Sequence, residues 1–308
     1  MRLTVVIPTH DPHSGRLQRT LAALRAQTLA TDLWETVVVD NASRSPLDAA
    51  LTGQAPANFR IVAEPQLGLT AARRRGLLAA RGEFVVLVDD DNVITPDYLA
   101  CVVRIFDAHP RVGAAGGPSR PEFESDPAEW MREFLPLLAL RDLGAAPQVR
   151  GLERSSDGAR VNYPECAPIG AGLALRREAA QCWLATSIDR ALSDRRGGEL
   201  TSAGDNDIVL TLLEHGWLVG YFPELSLTHL IPADRLDPAY LARLNRGIQK
   251  SWMQVLTKHG ANPWPAVPAW TVPLRQGRAW FTHRAWSGPA AQIRWRGACG
   301  HFEGRVLA

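Results

Sequence analysis

The sequence is poor in the features that mark several large classes of protein. Its 4 cysteines lie far apart with no Cys-x-x-Cys spacing, so neither a disulfide framework nor a zinc site is indicated. With 34 basic and 32 acidic residues the net charge is +2, which gives no case for nucleic acid as a partner. No apolar run approaches the roughly 18 residues that a membrane-spanning helix needs. These features predict a cytoplasmic protein that contacts a membrane at most at its surface.

Two common nucleotide-binding loops are also missing. The chain has no Gly-x-x-x-x-Gly-Lys-Ser/Thr loop, which excludes ordinary P-loop phosphoryl transfer. No Gly-x-Gly-x-x-Gly follows the first apolar run, so a dinucleotide-dependent oxidoreductase is not indicated. What is present is a chain of 308 residues with 46% hydrophobic content, which suffices for one large domain or a domain with an appendage.

Short apolar runs alternate with helical patterns along the first 117 residues. Strands are predicted at 3–7, 34–39, 59–62, 84–88 and 112–117, and helices near 17–24, 68–80 and 96–109, with Thr95 as the last N-cap. The alternation predicts an α/β fold with a mostly parallel central sheet flanked by helices, Rossmann-like in its layers. Residues 118–165 show no clear sheet register, although Trp130 to Leu138 could form an amphipathic helix. Strand patterns return at 169–175, 217–222 and 225–228.

Three consecutive carboxylates, Asp89, Asp90 and Asp91, directly follow the predicted strand at 84–88. They therefore lie at the carboxyl end of a central strand, where open α/β sheets bind ligands. Thr9 and Asp40 end two neighbouring predicted strands and should meet the acids in the same crevice. Crowded carboxylates repel one another unless a cation neutralises them, so the cluster predicts a divalent metal, Mn or Mg. The alternative is a solvated acidic turn.

A second acidic site is predicted where a later helix begins. Asp205 and Asp207 precede the apolar pattern that starts at Ile208, and N-capping explains only one of them. The other could serve as a general base. His229, at the predicted end of the strand at 225–228, is a candidate ligand.

The last part of the chain changes in composition. An amphipathic helix is predicted at 237–259, and between Trp264 and Arg296 five tryptophans are interleaved with five arginines, opposed only by the later Glu303. Such a mixture suits a membrane interface or an anionic polymer. A helical appendage that packs its tryptophans on the main domain is equally compatible with the pattern.

Five segments, taken in order, resemble the motif set of the family 2 glycosyltransferases of the GT-A fold. They are Val-Val-Ile-Pro-Thr-His-Asp (5–11), Val-Val-Val-Asp-Asn-Ala-Ser (37–43), Gly-Leu-Thr-Ala-Ala-Arg-Arg-Arg-Gly (68–76), Val-Asp-Asp-Asp-Asn (88–92) and Gly-Asp-Asn-Asp-Ile (204–208). The resemblance implies a GT-A domain over residues 1–235, with a nucleotide-binding half at 1–117 and an acceptor half at 118–235. Residues 236–308 would form a helical, Trp-rich extension.

The same resemblance implies an inverting transfer of a hexosyl or N-acetylhexosaminyl group from a nucleoside diphosphate sugar, with UDP favoured. The acceptor would be a hydroxyl of a glycan or of a lipid-linked glycan, and residues 264–308 could bring the protein to a membrane surface. The implied site residues carry distinct roles. Pro8, Thr9, His10, Asp40 and Arg73 would line the nucleotide pocket, Asp89 and Asp90 would face ribose and donor, Asp91 and His229 would hold the metal, and Asp205 would be the general base.

Two positions depart from the family pattern. Gly204 stands where the family has the glutamate of a Glu-Asp pair, which leaves Asp207 as an alternative base or acceptor-binding acid. Arg74 replaces an asparagine, and its charge would either strengthen diphosphate binding or remain solvated on the helix.

Two hypotheses from other classes stay open at this point. Asp89 and Asp91 also satisfy the Asp-x-Asp pattern of haloacid-dehalogenase-type phosphatases, although that motif normally ends the first strand of its domain. A nucleotide-sugar-binding protein without activity is conceivable because of Gly204 and the Trp/Arg-rich tail.

Overall fold

The computed structural model describes residues 1–45, 47, 56, 58–154, 161–186, 200 and 204–306. Its strands in chain order are β1 Leu3–Thr9, β2 Trp34–Asp40, β3 Phe59–Ala63, β4 Phe84–Leu87, β5 Asn92–Ile94, β6 Val112–Gly116, β7 Ser119–Phe123, β8 Gln148–Arg150, β9 Glu153–Arg154, β10 Val161–Asn162, β11 Leu173–Arg176, β12 Leu218–Tyr221 and β13 Leu227–Ile231. Its α-helices follow: α1 Ser14–Arg25, α2 Leu69–Ala79, α3 Tyr98–Ala108, α4 Arg177–Leu184, α5 Gly204–Glu214, α6 Pro238–Lys258, α7 Val272–Thr282 and α8 Pro289–Glu303.

The central sheet has eight strands in the order β3-β2-β1-β4-β11-β6-β12-β8. Strands β3, β2, β1 and β4 are parallel, as the alternating pattern predicts. The sheet is nevertheless mixed, because β11 runs antiparallel to both β4 and β6 and β8 runs antiparallel to β12. Smaller sheets are formed by β5-β13-β7 and by β9-β10. The predicted irregular region at 118–165 thus supplies strands to all three sheets.

Both faces of the central sheet are covered by helices, since its strands are apolar on both sides. On β1, the side chains of Leu3, Val5 and Ile7 pack in one cluster with apolar residues of α1 and α3. Val6 points to the opposite cluster, which contains apolar residues of α2, α4 and α5. This three-layer arrangement leaves the carboxyl ends of β1 and β4 open at one edge of the sheet.

Three local predictions need correction. Helix α3 begins at Tyr98, and Thr95 is not its cap: the Leu99 N–H donates at 3.0 Å to Oε1 of Gln27, just beyond the end of α1, so a distant side chain caps the helix. His229 does not end a strand but lies inside β13, because that strand continues to Ile231 by pairing with β5 and β7. The predicted helix at Trp130 to Leu138 is a run of 3-10 turns over Glu129–Leu138 that includes Pro136, which lacks a backbone donor.

Helices α6 and α8 pack closely through a stripe of glycines on α8 and just beyond it. A Cβ at Gly297 would meet the side chain of Asn245, and one at Gly300 would collide with the carbonyl of Arg246. At Gly304 the obstacle would be the carbonyl of Lys250. The missing side chains therefore allow the two helices to approach each other closely. In the described part of the chain, none of the helices is both long and apolar enough to cross a bilayer.

Candidate active site

A pocket of about 300 Å³ opens at the carboxyl edge of β1 and β4. It gathers residues from motifs that are far apart in the sequence: Pro8, Thr9, His10, Arg73, Asp89, Asp90, Asp91, Asp205 and His229 all line it. Asp40 and Asp207 are not part of the lining, which includes Asn41 instead. The chain thus brings the first strand end, the three acids and the later acidic helix start to one cavity.

The side of the pocket formed by the loops after β1 and β2 is organised around Asn41, which directly follows β2. The side chain of Asn41 donates from Nδ2 to the carbonyls of Glu64 and Gln66 at 3.1 and 2.8 Å, and its Oδ1 accepts from the Gly68 N–H at 2.8 Å. The ring of His10 donates from Nδ1 to the Asn41 carbonyl at 2.8 Å, which fixes the tautomer. These bonds hold the loops after β1 and β2 and the start of α2 against one another.

The three acids share a small, partly closed space. Thr9 donates its hydroxyl proton to Asp90 Oδ2, and Asp91 is 5% exposed. Burial raises the pKa of Asp90 to about 7, and the negative charges of Asp91 and Asp89 add to the increase. The Oδ1 atom of Asp89 is buried without a hydrogen-bond partner among the described residues. The cluster therefore carries more negative charge than it can stabilise alone and favours an added cation.

Three cationic or ligating side chains surround these acids. Arg235 donates from Nη2 to Asp91 Oδ2 at 3.2 Å, and Nε2 of His229 lies 3.4 Å from the same oxygen. Arg73, which is 4% exposed, brings Nη2 within 3.6 Å of Asp89 Oδ1. His229 reaches Asp91 because the Leu230 N–H of β13 donates to the Asp91 carbonyl at 2.9 Å.

Arg235 was not among the residues predicted from the sequence. It lies in the 3-10 turn Ala233–Leu236 that follows β13, lines the pocket and has a side chain that is only 20% exposed. The available signal was a single arginine shortly after the His229 segment, which by itself does not distinguish a site residue from a surface charge.

The residues present fit a divalent metal ion that takes only a few of its ligands from the protein. Asp91 supplies a hard oxygen and His229 a ring nitrogen, and the Nδ1 atom of His229 is buried without a hydrogen-bond partner in the part of the chain that is described. The described residues contain no group of three or more His, Cys, Asp or Glu side chains that could hold a metal by themselves. Magnesium is commonly held by one or two carboxylates together with substrate phosphates, so this set suits an ion that binds with a phosphate ligand.

Asp205 reaches the pocket from the first turn of α5. Its Oδ2 accepts from the Gly170 N–H at 2.7 Å and its Oδ1 from the Asn206 N–H at 2.9 Å. A carboxylate there is stabilised by the positive end of the helix dipole. A Cβ on Gly170 would lie 2.6 Å from Arg73 Nη2, so this glycine both orients Asp205 and leaves room for Arg73. Residues 201–203, which precede this helix in the sequence, lie outside the described residues.

Asp207 lies outside the pocket and has structural partners. Its carboxylate accepts bonds from Lys258 Nζ at 2.8 and 3.0 Å, from His259 Nε2 at 2.9 Å and from Trp183 Nε1 at 2.8 Å. Burial alone would raise the pKa of Asp207, but these hydrogen bonds lower it. The carboxylate thus ties α5 to the end of α6, and the geometry argues against its role as the alternative base.

Arg74 also points away from the pocket. Its Nη2 donates to the Leu184 carbonyl at the end of α4, at 2.6 Å. A cation is favourable at a helix C-terminus, so this residue joins α2 to α4 and does not reach the site of a diphosphate.

The contact between His259 and its two acids makes stability depend on pH. Burial alone would lower the pKa of His259, but hydrogen bonds to Asp207 and Glu214 raise it above the model-compound value of 6.5. Stabilisation from such a group is complete below its unfolded-state pKa and is lost as the pH rises through the folded-state pKa. We expect His259→Gln to lower the free energy of unfolding by about 1–2 kcal/mol near pH 6, and by less near pH 9. Urea unfolding across this range measures the difference.

His215→Gln is the matched control for this experiment. His215 is exposed directly after the end of α5, and its ring Nδ1 bonds to the Thr211 carbonyl at 2.7 Å and not to an acid. Its replacement should change stability by a small amount that does not follow the His259 profile. A cost of His259→Gln that increases with pH would contradict the assignment.

The fold and the pocket define a class of protein: an α/β domain whose open sheet edge carries a carboxylate cluster suited to a metal and a separate acid at a helix start. A family model described as Glycosyl transferase family 2 matches residues 4–184. The chain belongs to this family. The match argues against the phosphatase hypothesis, as does the position of the acids, which follow the fourth strand and not the first.

Curated relatives and a solved structure agree with this assignment. The chain is 30% identical over 179 residues to the O-antigen biosynthesis protein RfbC of Myxococcus xanthus, covering 51% of this chain and 14% of that protein. It is 37% identical over 103 residues to the succinoglycan biosynthesis protein ExoW of Rhizobium meliloti, covering 32% of each. The chain thus spans less than a third of these relatives.

A structure of the mannosyltransferase PcManGT from Pyrobaculum calidifontis, in complex with GDP-Man and Mn²⁺, superimposes with a TM-score of 0.58 at 22% identity. The match covers 95% of this chain and 73% of that one. At this identity the likeness concerns the fold alone, and it confirms the predicted GT-A type of α/β fold.

Proposed function

We propose that this chain is an inverting glycosyltransferase that moves a sugar from a nucleoside diphosphate sugar to a hydroxyl of a glycan or lipid-linked glycan. The observation that carries the proposal is the shared pocket. It holds the acid cluster with Asp91 and His229, and it also holds Asp205 on a different element. Group transfer from a diphosphate-linked donor needs both parts: positive charge at the leaving group and a base at the acceptor.

The donor half of the reaction falls to the residues around β1, β2 and β4. Pro8, Thr9, His10 and Asp40 would contact base and ribose, and Asp89 and Asp90 would face the ribose and the sugar. Asp91 and His229 would hold Mn or Mg, which supplies Lewis-acid stabilisation of the departing diphosphate. Arg73, which is buried, and Arg235, which is partly buried, would add two positive charges at the pocket wall for the phosphate oxygens.

The acceptor half falls to Asp205. Its carboxylate would take the proton of the acceptor hydroxyl while that oxygen bonds to the anomeric carbon and the bond from this carbon to the diphosphate oxygen breaks. The Gly170 N–H holds Oδ2 in place, so the base is positioned before the acceptor arrives. Gly204, where the family has a glutamate, removes one acid but leaves this base intact.

We further propose a UDP-sugar as the donor and surface polysaccharide biosynthesis as the setting. The relatives named for O-antigen and succinoglycan biosynthesis support the setting. Because the mannosyltransferase structure contains GDP-Man, GDP-sugars are tested as donors beside UDP-sugars.

Thermal unfolding with UDP, GDP, CDP, UDP-sugars and GDP-mannose, each with Mn, Mg or EDTA, tests the donor proposal. A ligand at about 100 times its dissociation constant stabilises the native state by about 2.7 kcal/mol, which for a chain of this size raises the melting temperature by about 4 °C. We expect a metal-dependent shift that is largest for UDP and UDP-sugars.

Two variants make this experiment specific. Asp91→Asn should lose the metal-dependent part of the shift, whereas Asp97→Asn, an exposed acid outside the pocket on the same segment, should keep it. No shift with any nucleotide would contradict the proposal, and hydrolysis of simple phosphomonoesters would then favour the phosphatase hypothesis. A donor-induced shift without turnover on any acceptor would favour the non-catalytic binding protein.

A further inference from the structure

Large apolar side chains are exposed together at one place in the C-terminal helices. Trp270 is 76% exposed, Leu274 69%, Phe281 70% and Trp286 59%. We call these four residues the aromatic face. Such side chains are costly to leave in water, and a contiguous exposed group of them marks an interaction surface.

The four residues form one surface because of their spacing and contacts. Trp270, Leu274 and Phe281 are separated by four and seven residues, which places them on the same side of α7 and of the turn before it. A Cβ at Gly277, between Leu274 and Phe281 on that side, would meet nothing within 4 Å. Trp286 extends the surface, since its ring lies 5.9 Å from that of Phe281.

The opposite side of α7 is anchored, so the aromatic face has a fixed direction. The rings of Trp280 and Trp295 lie 4.8 Å apart, edge to face, and Trp295 Nε1 donates to the Gln276 carbonyl at 3.1 Å. Ala279 is buried against α8. These contacts explain Trp280 and Trp295 by packing, which was one of the two interpretations of the Trp-rich tail. The aromatic face is not explained by packing, so it supports the other interpretation, a membrane interface or an anionic polymer.

The exposed charge next to the aromatic face is positive, because Glu303, which accepts from Gln276 of α7, is 18% exposed and already paired with Arg246. Residues 238–302 contain no aspartate or glutamate, and they contain nine lysines and arginines. Arg275, Arg278 and Arg284 are exposed next to the aromatic face. Arg294 is already paired with Glu133 at 2.5 Å. The occupant of this surface should therefore be apolar in its interior and anionic at its boundary.

We propose that the aromatic face docks on an anionic lipid bilayer, with Arg275, Arg278 and Arg284 at the headgroups. Tryptophan and arginine are the residues that favour this interface, and the apolar stripe would lie in the plane of the headgroup boundary. A second copy of the same chain is a poorer occupant, because two acid-free surfaces would bring like charges together.

The docked orientation connects with the proposed function, on which this part rests. Ile293 of α8 packs in one cluster with Leu138 and Leu244, and these two residues line the pocket. The lipid-facing helix is thus one helix layer away from the pocket wall. Docking there would hold the pocket near the bilayer that carries a lipid-linked acceptor.

Vesicle flotation of the full chain tests the proposal. We expect binding to vesicles of phosphatidylcholine with about one-third phosphatidylglycerol and little binding to phosphatidylcholine alone. Trp270→Gln/Leu274→Gln/Phe281→Gln should abolish flotation. Arg275→Gln/Arg278→Gln/Arg284→Gln should weaken partitioning about 100-fold, because each arginine contributes roughly a fivefold gain near an anionic surface. Tryptophan fluorescence of the wild type should move to shorter wavelength on binding.

The chain offers a matched control on another surface. Leu78 and Ile61 are 62% and 39% exposed on the main domain, and Leu78→Gln/Ile61→Gln should float as the wild type does. Absence of wild-type flotation, equal binding by the aromatic-face variant, or protein self-association that the same variant abolishes would each overturn the proposal. The nucleotide-induced thermal shift is measured without lipid, so its failure and the failure of docking are distinguishable.

Discussion

Asp205→Asn will lower kcat by about 1,000-fold while the affinity for the nucleotide donor stays within about twofold of the wild type. Asparagine keeps the size of the side chain and its hydrogen bond from Gly170, but it cannot accept the proton of the acceptor hydroxyl. Because the donor contacts other residues, its dissociation constant should hardly change. Release of nucleoside diphosphate under saturating donor and acceptor measures the rate, and titration calorimetry measures donor affinity.

Asp207→Asn is the natural control, since it makes the same chemical change two residues away. This replacement removes the charge that pairs with Lys258 and His259, so it should lower the free energy of unfolding by about 3 kcal/mol and the melting temperature by several degrees. Below the new melting temperature its turnover should remain near that of the wild type. Loss of turnover in Asp207→Asn at unchanged stability, with an active Asp205→Asn, would reverse the two roles.

Arg235→Met is expected to act in opposite directions on metal binding and on turnover. Arg235 now shares Asp91 Oδ2 with any metal that binds there, so its removal should strengthen Mn²⁺ binding without donor by about tenfold. Turnover should fall about 100-fold, because the departing diphosphate loses one fixed positive charge in a closed pocket. Electron paramagnetic resonance of Mn²⁺ follows the first effect, and steady-state kinetics follow the second.

Arg120→Met controls for the loss of an arginine elsewhere. Arg120 is exposed, pairs with Asp142 at 3.1 Å and does not line the pocket, so neither Mn²⁺ binding nor turnover should change. Arg235→Lys should recover part of the turnover, since it restores the charge without the planar group. Weaker Mn²⁺ binding in Arg235→Met would show that the arginine supports the metal site and does not compete with it.

The parts of the fold that follow from local sequence were predictable. The buried strands β1, β2 and β4 are apolar runs whose ends match the predictions within two residues, because burial on both faces leaves no choice of side chain. The acids at the end of β4 and Asp205 at the start of α5 were also predictable, because local signals in the sequence mark strand ends and helix starts.

The parts that depend on distant contacts were not predictable. The direction of β11 is set by its neighbours β4 and β6, and an apolar run carries no sign of direction. The cap of α3 comes from Gln27, about 70 residues earlier in the chain, so the prediction of Thr95 as the N-cap was wrong. Asp207 and Asp205 look alike in the sequence, and only Lys258 and His259, which arrive from the end of α6, separate them.

The glycine stripe of α8 connects the C-terminal helices to the pocket wall. With Gly297 against the Asn245 side chain and Gly300 against the Arg246 carbonyl, α6 packs closely on α8, and α6 in turn supplies Tyr240 and Leu244 to the pocket wall. Residues beyond the division predicted near residue 235 therefore form part of the pocket wall. Removing the helices beyond this division would open the pocket from the side, so the proposed lipid-docking surface and the proposed donor pocket would have to evolve as one block.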